Sequence, residues 1–414
     1  MTGSPSYPRL AQVRLAEALS DTPVVLVHGP RQCGKTTLAR MVGDRLGHAY
    51  LTFDDAATLA AAEADPTGFV DDLPGRVILD EVQRVPRLFA SLKRAVDRDR
   101  RPGRFLLTGS SNVLLLPRLS DSLAGRMEIV RLHPFAQAEL TGGAADFVER
   151  LFNGTFQART RARLGHALAP LVAAGGYPAA LARPAARRRA AWYRDYVETL
   201  VQRDVRELAR IASLDAIPRL LALAGAQTAR LLNVSDLAAP LGLSRPTVRD
   251  YVTLLERIFV VDELPPWHGN RLSRLVKTPK VHLGDSGLAC ALLGLDAEAL
   301  AADRATLGQL LETFVVQELR RLASGLPDRI DFLHYRDRDG AEVDVVLERG
   351  PRELAGVEVK AGATVTASDF RGLRKLKEAT GARFKAGVVL YDGEATLPFG
   401  ERLHAVPLRC LWEA

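Results

Sequence analysis

The sequence predicts an α/β protein with more than one domain. Short apolar runs alternate with stretches of helical spacing through about residue 135, which is the pattern of a parallel sheet with helices on both faces. A helix-turn-helix pattern follows at residues 233–251, and the last part combines a long apolar helix with strands that read as a hairpin. A chain of 414 residues is also too long for one ordinary domain.

The composition is that of a globular protein and restricts the partners only weakly. Lysine and arginine number 56 against 49 aspartates and glutamates, and this net charge of +7 permits an anionic partner without requiring one. Cys33, Cys290 and Cys410 show neither a disulfide framework nor metal-ligand spacing. No apolar run reaches membrane-spanning length. We therefore expect a soluble, cytoplasmic protein with no membrane partner.

The most specific motif is a glycine-rich turn between the apolar run 24–27 and the helical stretch 38–42. Its spacing, G-x-x-x-x-G-K-T, is that of a P-loop, in which backbone N–H groups and a helix N-terminus surround a β-phosphate. Lys35 would reach the β- and γ-phosphate oxygens, and Thr36 would be a ligand of Mg²⁺. The sequence thus predicts a site for ATP or GTP with Mg²⁺. The predicted nucleotide-binding residues are Gly29, Pro30, Arg31, Gln32, Cys33, Gly34, Lys35, Thr36 and Thr37.

An apolar strand that ends in two acids predicts the hydrolytic side of this site. Residues 77–79 are apolar, and Asp80 and Glu81 follow them. The carboxyl ends of parallel strands face the ligand, so we expect Asp80 to hold Mg²⁺ and Glu81 to orient the attacking water. A later apolar strand at 104–109 has a polar exit that would sense the γ-phosphate. The sequence does not choose among Ser110, Ser111 and Asn112 for that role.

Arg126 lies in the run 122–127, where an arginine would complete the site of a neighbouring subunit as an arginine finger. That role requires a homo-oligomer, which the sequence does not reveal. The alternative is an ordinary surface arginine, and the sequence leaves both readings open.

The helix-turn-helix pattern at 233–251 follows a mostly helical stretch, 136–220. Gly242 would make the tight turn, and Ser235 and Ser244 would cap the two helices.

The second helix of this pattern and the strand expected at 258–264 are typical of a winged helix that binds double-stranded DNA. Such modules also serve as protein–protein packing units, so the sequence leaves DNA and protein partners open. The residues expected to face DNA are Arg245, Thr247 and Arg249.

The last part of the chain contains acids and a lysine on elements that would share one site. A helix at 310–319 carries one glutamate, a hairpin at 333–347 carries an aspartate, and Glu358 and Lys360 share a strand face because they are two residues apart. This set resembles the PD-(D/E)xK constellation of restriction-endonuclease-like folds, in which carboxylates hold Mg²⁺ and a lysine stabilises charge or activates water. The sequence leaves nuclease activity open. The predicted nuclease residues are Glu312, Asp344, Glu358 and Lys360.

Taken together, the N-terminal motifs resemble a prokaryotic branch of AAA-type ATPases. The runs that carry this resemblance are Gly29–Thr37, Leu79–Gln83, Leu107–Ser111 and Leu123–Arg126. The C-terminal half is similar to the uncharacterised domain usually fused to that ATPase, through Gly175–Pro178, Lys277–Val281, and the segments around Asp344 and Glu358. The resemblance covers nearly the whole chain and implies ATP binding and hydrolysis, a winged helix and a nuclease-like fold.

The expected α/β architecture therefore has four parts. They are a P-loop AAA-type ATPase core at 1–140, a helical connecting segment at 141–220, a winged helix-turn-helix at 221–275, and a restriction-endonuclease-like α/β domain at 276–414. Three functions agree with it. In the first, the ATPase drives a DNA-directed module, with or without nuclease activity. In the second, the protein is an ATP-switched regulator that binds nucleic acid without cutting it. In the third, the ATPase acts on a protein partner.

Overall fold

The computed structural model describes residues 7–109, 123–205, 214–269 and 278–413. The candidate sensor residues Ser110, Ser111 and Asn112 lie outside this part of the chain, and so does Lys277.

The chain forms two compact units. The N-terminal unit is Met1–Phe135 with Arg257–Phe259, and the C-terminal unit is Ala136–Glu256 with Val260–Ala414. The finer division into four parts stays a prediction.

The N-terminal unit contains a parallel five-stranded sheet, as the sequence predicts. Its strands are β1 (Val24–His28), β2 (Ala49–Thr52), β3 (Val77–Asp80), β4 (Phe105–Gly109) and β5 (Met127–Arg131), in the order β2-β3-β4-β1-β5. Strand β4 lies between β1, which leads into the P-loop, and β3, which ends in Asp80. The P-loop and Asp80 therefore lie at the same edge of the parallel sheet, at the carboxyl ends of β1 and β3.

Both faces of this sheet are covered, because alternate residues of β1 enter two different cores. Val24 and Leu26 pack into one apolar cluster, and Val25 and Val27 pack into the other. The described α-helices of this unit are Ala11–Asp21, Lys35–Gly43, Ala56–Ala64, Pro66–Asp71 and Leu88–Arg98.

The C-terminal unit begins with helices and a small antiparallel sheet. Its described α-helices are Gln137–Thr141, Phe147–Asn153, Leu168–Ala174, Pro178–Leu181, Ala186–Thr199, Ala216–Ala226, Val234–Ala238, Arg245–Arg257, Ser286–Leu292, Ala297–Ala302, Arg304–Ala323 and Arg371–Thr380. The small sheet contains β6 (Arg230–Leu231), β7 (Val261–Leu264) and β8 (Lys280–Leu283) in the order β6-β8-β7.

The two helices of the predicted helix-turn-helix are present at Val234–Ala238 and Arg245–Arg257. Ser244 caps the second helix as expected, because its Oγ accepts a hydrogen bond of 3.2 Å from the Thr247 N–H. The expected first cap is wrong. Asn233 takes this role because it precedes the helix, whereas Ser235 lies inside it. Asn233 Oδ1 accepts from the Ser235 N–H at 3.0 Å.

The Gly175–Pro178 run has a structural role within this unit. The carboxylate of Asp285, which is fully buried, accepts hydrogen bonds from the Gly176 N–H at 2.8 Å, from Tyr193 Oη at 2.9 Å and from Arg321 Nη2 at 2.9 Å. Gly175 has φ +66°, and a Cβ at this position would lie 2.1 Å from Asp285 Oδ1. Only glycine therefore fits beside this buried carboxylate.

A six-stranded mixed sheet completes the C-terminal unit. Its strands are β9 (Ile330–Arg336), β10 (Glu342–Arg349), β11 (Glu353–Lys360), β12 (Phe384–Tyr391), β13 (Leu397–Gly400) and β14 (Leu403–Pro407), in the order β13-β14-β12-β11-β10-β9. Strands β9 and β10 form the expected hairpin, and β11 is the expected third strand, antiparallel to β10. The helix Arg371–Thr380 then returns the chain to β12, which is parallel to β11 and extends the sheet as predicted.

Candidate functional site

The P-loop follows β1 and ends at the first turn of the helix Lys35–Gly43. Gln32 and Gly34 have left-handed backbones, with φ of +58° and +98°. Gly29 is required for a different reason, because a Cβ there would lie 2.1 Å from the carbonyl oxygen of Leu132. The nine predicted nucleotide-binding residues thus form one continuous turn at the carboxyl end of a buried strand, where parallel sheets bind ligands.

Lys35 is buried, with 6% of its surface exposed. Its Nζ donates hydrogen bonds to the backbone carbonyl oxygens of Gly29 at 3.0 Å and Pro30 at 2.8 Å. Both acceptors are neutral, so the charge of the ammonium is not compensated by these contacts. An anionic phosphate is a stronger partner for it than a carbonyl.

Arg9 supports the back of this loop, and sequence reasoning missed it. Its Nη1 donates to the carbonyl oxygen of Cys33 at 2.9 Å, and its Nη2 donates to that of His133 at 2.6 Å. The guanidinium also lies 4.5 Å from the ring centroid of Phe135. Arg9 is 124 residues from His133, so no local pattern could reveal this contact.

Cys33 points away from any ligand of the loop. Its side chain is fully buried, and Sγ lies 3.7 Å from the carbonyl oxygen of Leu132. Burial raises the pKa of this thiol, which opposes formation of the reactive thiolate. Cys33 therefore contributes packing and backbone to the P-loop.

Asp80 receives three hydroxyl groups from three different elements. Its Oδ1 accepts from Thr36 Oγ1 at 2.8 Å and also from Thr108 Oγ1, and its Oδ2 accepts from Tyr50 Oη at 2.9 Å. Burial and the Asp80 carboxylate both raise the pKa of Tyr50, so Tyr50 remains a donor. The contact with Thr36 brings together the two residues predicted to hold Mg²⁺. Carboxylate and hydroxyl oxygens are ligands that Mg²⁺ prefers, so the residues present fit this ion.

Glu81 follows Asp80 in a strained backbone conformation, with φ +59°. Left-handed backbones at residues other than glycine are uncommon and cluster at functional sites. The Glu81 N–H donates to Thr108 Oγ1 at 3.2 Å, and Gln83 Nε2 donates to the Glu81 carboxylate. Tyr50, Gln83 and Thr108 are further residues that sequence reasoning missed, because single hydroxyl and amide side chains carry no distinctive motif.

Arg126 contacts its own chain. Its Nε donates to Asp97 Oδ1 at 2.7 Å, and its Nη1 donates to the carbonyl oxygen of Ala124 at 3.1 Å. About a quarter of its side chain is exposed, at 24%. The arginine-finger role stays a prediction.

The C-terminal unit brings two of the four predicted nuclease residues together around a lysine that was not predicted. Lys280 Nζ lies 2.9 Å from Glu312 Oε1, 2.8 Å from Glu342 Oε1 and 3.1 Å from Asp344 Oδ1. Lys280 is almost completely buried, with 2% of its surface exposed. We call Lys280, Glu312, Glu342 and Asp344 the carboxylate cluster.

The other two predicted residues form a neighbouring pair. Lys360 Nζ donates to Glu358 Oε1 at 2.9 Å, in agreement with their expected position on one strand face. The N–H of Val359, between them, donates to Asp344 Oδ2 at 2.9 Å and links this pair to the carboxylate cluster. Burial and the Asp344 charge raise the pKa of Glu358 to about 8.

His282 lies against the carboxylate cluster from β8. It is fully buried, and its Nδ1 is 3.0 Å from Thr313 Oγ1, while its Nε2 is 3.8 Å from Glu312 Oε1. Burial and the nearby Lys280 charge lower the pKa of His282 well below its usual range, so the imidazole is neutral. Its Nε2 forms no hydrogen bond with any described residue.

The predicted DNA-facing side chains do not share one environment. Arg245 is exposed at the start of its helix. Arg249 instead forms a bidentate pair with Glu263, in which Nη2 and Oε2 are 3.1 Å apart. This pair raises the pKa of Arg249 and occupies the guanidinium. Arg245 is therefore the better placed of the two arginines to contact a phosphate.

Two further findings concern the described residues as a whole. They contain no group of three or more Asp, Glu, His or Cys side chains arranged to hold a metal ion. None of their helices is long and apolar enough to cross a membrane.

The order of the sheet and the P-loop geometry define an AAA-type ATPase domain, and comparison with protein families agrees. An AAA domain matches residues 21–141, and two domains of unknown function, DUF8612 and DUF4143, match residues 165–299 and 307–411. The chain is thus an AAA-type ATPase with additional C-terminal domains.

Two mycobacterial relatives cover nearly the whole chain. They are the uncharacterized protein Rv2008c of Mycobacterium tuberculosis and the uncharacterized protein Mb2031c of Mycobacterium bovis. Each is 33% identical over 401 residues, which is 96% of this chain and 83% of the relative. The chain belongs to the same family as these two proteins.

Similar solved structures include a Walker-type ATPase of Pyrococcus abyssi and the RuvB Holliday junction branch migration motor of Thermotoga maritima. The first is 16% identical, with a TM-score of 0.43, and the match covers 69% of this chain and 96% of that one. The second is 19% identical, with a TM-score of 0.28, and the match covers 62% of this chain and 89% of that one. Neither supports an inference about the partners of this chain.

Proposed function

We propose that the protein is a Mg²⁺-dependent ATPase whose N-terminal unit drives a DNA-directed C-terminal unit. The enzymatic part rests on one observation. Thr36 Oγ1 lies 2.8 Å from Asp80 Oδ1, and Lys35, which precedes Thr36 in the P-loop, is buried. The two side chains predicted to bind the metal are thus in direct contact.

Each residue of this site has a role that its position supports. Lys35 exchanges two neutral carbonyl acceptors for oxygens of the β- and γ-phosphates. Thr36 and Asp80 hold Mg²⁺, which neutralises charge on the phosphates when it is bound. Glu81 orients the attacking water, and Gln83 fixes the position of its carboxylate. Thr108 holds Asp80 and the backbone of Glu81 together.

ATP turnover of the full chain tests this proposal directly. Turnover should require Mg²⁺ and should rise when duplex DNA is added. Turnover that is absent in the presence of Mg²⁺ contradicts the enzymatic part. Turnover that duplex DNA leaves unchanged contradicts the coupling and favours a protein partner.

We further propose that Arg126 acts in the site of a neighbouring subunit. Arg126→Ala and Asp97→Ala each break the pair between these residues, so a local structural role would give both variants the same loss of turnover. A finger in a neighbouring site gives the larger loss with Arg126→Ala. Mixing Arg126→Ala with Lys35→Ala subunits should then restore part of the turnover, because each supplies what the other lacks. Failure of this mixture to recover activity contradicts the role.

The DNA-directed part of the proposal rests on the two capped helices and on the exposed Arg245. We propose that the helix Arg245–Arg257 and the β7–β8 pair form a winged helix that contacts DNA phosphates. Affinity for duplex DNA should then fall with salt and should be lower in Arg245→Ala. Arg249→Ala is the matched control, because its guanidinium already pairs with Glu263. Salt-independent binding contradicts phosphate contact.

The nuclease-like domain has two candidate functions, and the carboxylate cluster favours the one without cleavage. The fold would be restriction-endonuclease-like, but the Lys280 ammonium contacts the acids that would hold the metal. We therefore propose that this domain binds without cutting. Incubation of DNA and RNA with the protein and Mg²⁺ or Mn²⁺ should give no products. Cleavage that disappears in Lys360→Ala would contradict this and support an active nuclease.

A further inference from the structure

The ammonium group of Lys280 is fully saturated by carboxylates. Its three N–H donors face Glu342 at 2.8 Å, Glu312 at 2.9 Å and Asp344 at 3.1 Å. An ammonium group has three donors, so no donor is left for a ligand. Burial by itself would lower the pKa of Lys280, but the charges of Asp344, Glu312 and Glu342 outweigh it and hold the pKa well above its usual range.

The position of Lys280 is fixed by its backbone as well as by its charge. Strand β8 is the central strand of the small sheet, and Lys280 pairs with Leu231 on one side and with Leu264 on the other. Its side chain is 3% exposed. The backbone of Lys280 is therefore fixed by two strand pairings, and its buried ammonium is held by the three carboxylates around it.

The acids come from two elements that the fold brings to one point. Glu342 and Asp344 alternate on β10 and share a face, and Glu312 reaches them from the helix Arg304–Ala323. Glu312 and Asp344 are two of the acids that the nuclease-like sequence pattern assigns to its metal. Mg²⁺ and Mn²⁺ require oxygen ligands within roughly 2.0–2.3 Å, so an ion and the ammonium cannot occupy the same point.

We propose that Lys280 is the resident cation of the carboxylate cluster and that its ammonium excludes a divalent metal from Glu312 and Asp344. The residues present therefore do not fit the Mg²⁺ site that the nuclease-like sequence pattern predicts. This inference does not depend on the proposed ATPase activity. It also implies that removing one ammonium group converts the carboxylate cluster into a metal site.

His282 supports the second implication. Its buried Nε2 forms no hydrogen bond with any described residue and lies 3.8 Å from Glu312 Oε1. Without Lys280, this imidazole nitrogen and the oxygens of Glu312 and Asp344 form a mixed nitrogen and oxygen donor set. Such a set suits Mn²⁺ and related divalent ions.

The test is a titration of the full, nucleotide-free chain with Mn²⁺, in which free Mn²⁺ is followed by electron paramagnetic resonance. Lys280→Met should gain one Mn²⁺ site that binds at least about tenfold more tightly than any site of the wild type. Lys280→Met/Asp344→Asn should lose it. Lys360→Met is the matched control, since it removes a lysine outside the carboxylate cluster and should gain no site. The P-loop is the same in all variants, so the differences report the carboxylate cluster alone.

The wild type provides a second measurement that does not require Lys280→Met to fold. Mn²⁺ should shift the thermal unfolding of the wild type and of Asp344→Asn by the same amount. A stabilisation of the wild type that Asp344→Asn abolishes would overturn the proposal. A folded Lys280→Met variant that gains no Mn²⁺ site would overturn it as well.

Discussion

Two buried lysines of this protein, Lys35 and Lys280, occupy sites of opposite character. Both are almost fully excluded from water, at 6% and 2% exposure. Lys35 contacts two backbone carbonyls, whereas Lys280 contacts three carboxylates. An ammonium is attracted more strongly to a charged carboxylate than to a neutral carbonyl oxygen, so the partners of Lys35 are more easily exchanged than those of Lys280.

This difference shows that burial of a cation does not by itself identify a ligand site. A lysine held by neutral acceptors remains available for an anionic ligand, which is the situation in the P-loop. A lysine whose donors all meet carboxylates is part of the structure. The acids of the two sites differ in the same way. Asp80 accepts hydrogen bonds from neutral hydroxyl groups, whereas Asp344 is paired with an ammonium and a backbone N–H.

The largest expected effect is on ATP turnover in Lys35→Ala. We expect kcat to fall by at least about 10²–10³-fold, because Lys35 is the residue predicted to place a positive charge on the β- and γ-phosphate oxygens. Steady-state phosphate release measures this loss. Lys93→Ala, which changes the other lysine of the N-terminal unit, should keep turnover near the wild-type value. Equal activity of Lys35→Ala and the wild type would remove the distinction between the two buried lysines.

Glu81→Gln should separate binding from hydrolysis. The amide keeps the size of the side chain but cannot polarise water, so we expect a loss of roughly 10²–10⁴-fold in turnover with ATP affinity retained. Equilibrium binding of a fluorescent ATP analogue and phosphate release, measured on the same preparation, check this. A parallel loss of affinity would show that Glu81 acts in binding instead.

Lys280→Met should destabilise the C-terminal unit by about 3–5 kcal/mol, since it leaves buried carboxylates without their cation. Chemical denaturation followed by fluorescence measures the free energy of unfolding. Lys360→Met should cost less, about 1–3 kcal/mol, because Lys360 is 37% exposed and pairs with one glutamate instead of three carboxylates. Similar losses in the two variants would mean that Lys280 is an ordinary ion-pair partner.

The last expected effect is a pH dependence at Glu358. Its folded pKa of about 8 lies above its ordinary value of 4.5, so the folded state holds a proton that the unfolded state releases. The contribution of this group to stability is therefore full below about pH 4.5 and is lost as pH rises to about 8. Glu358→Gln lacks this loss. As pH rises across this range, the free energy of unfolding of the wild type should therefore fall relative to that of Glu358→Gln.

Denaturation midpoints of the wild type and Glu358→Gln at several pH values check this expectation. Groups that titrate in both proteins contribute equally and cancel in the difference between the two stabilities. His334 is one such group, and burial lowers its pKa to about 4. Parallel pH profiles would contradict the expected titration of Glu358.

The sequence predicted the N-terminal site in more detail than the C-terminal one, for a physical reason. The P-loop is contiguous, and the Asp80–Glu81 pair ends an apolar strand, so both are visible in short windows. Arg9 and Thr108 were missed because their contacts join residues 124 and 28 positions apart.

The role of Lys280 was missed for the same reason, since it meets Glu312 and Asp344 across 32 and 64 residues. One signal was present, however. Lys280 begins a strand whose four residues are all buried, and a charge in such a strand requires partners of opposite charge. Glu312 and Asp344 both contact Lys280, but the spacing of the predicted acids alone does not reveal a lysine between them.

The most direct test of this account is the number of Mn²⁺ ions that the full wild-type chain binds with a saturating, non-hydrolysable ATP analogue. We expect one ion per chain, bound at the ATPase site and lost in Asp80→Asn, because Lys280 excludes metal from the carboxylate cluster. A second ion that is retained in Asp80→Asn and lost in Asp344→Asn would contradict the account.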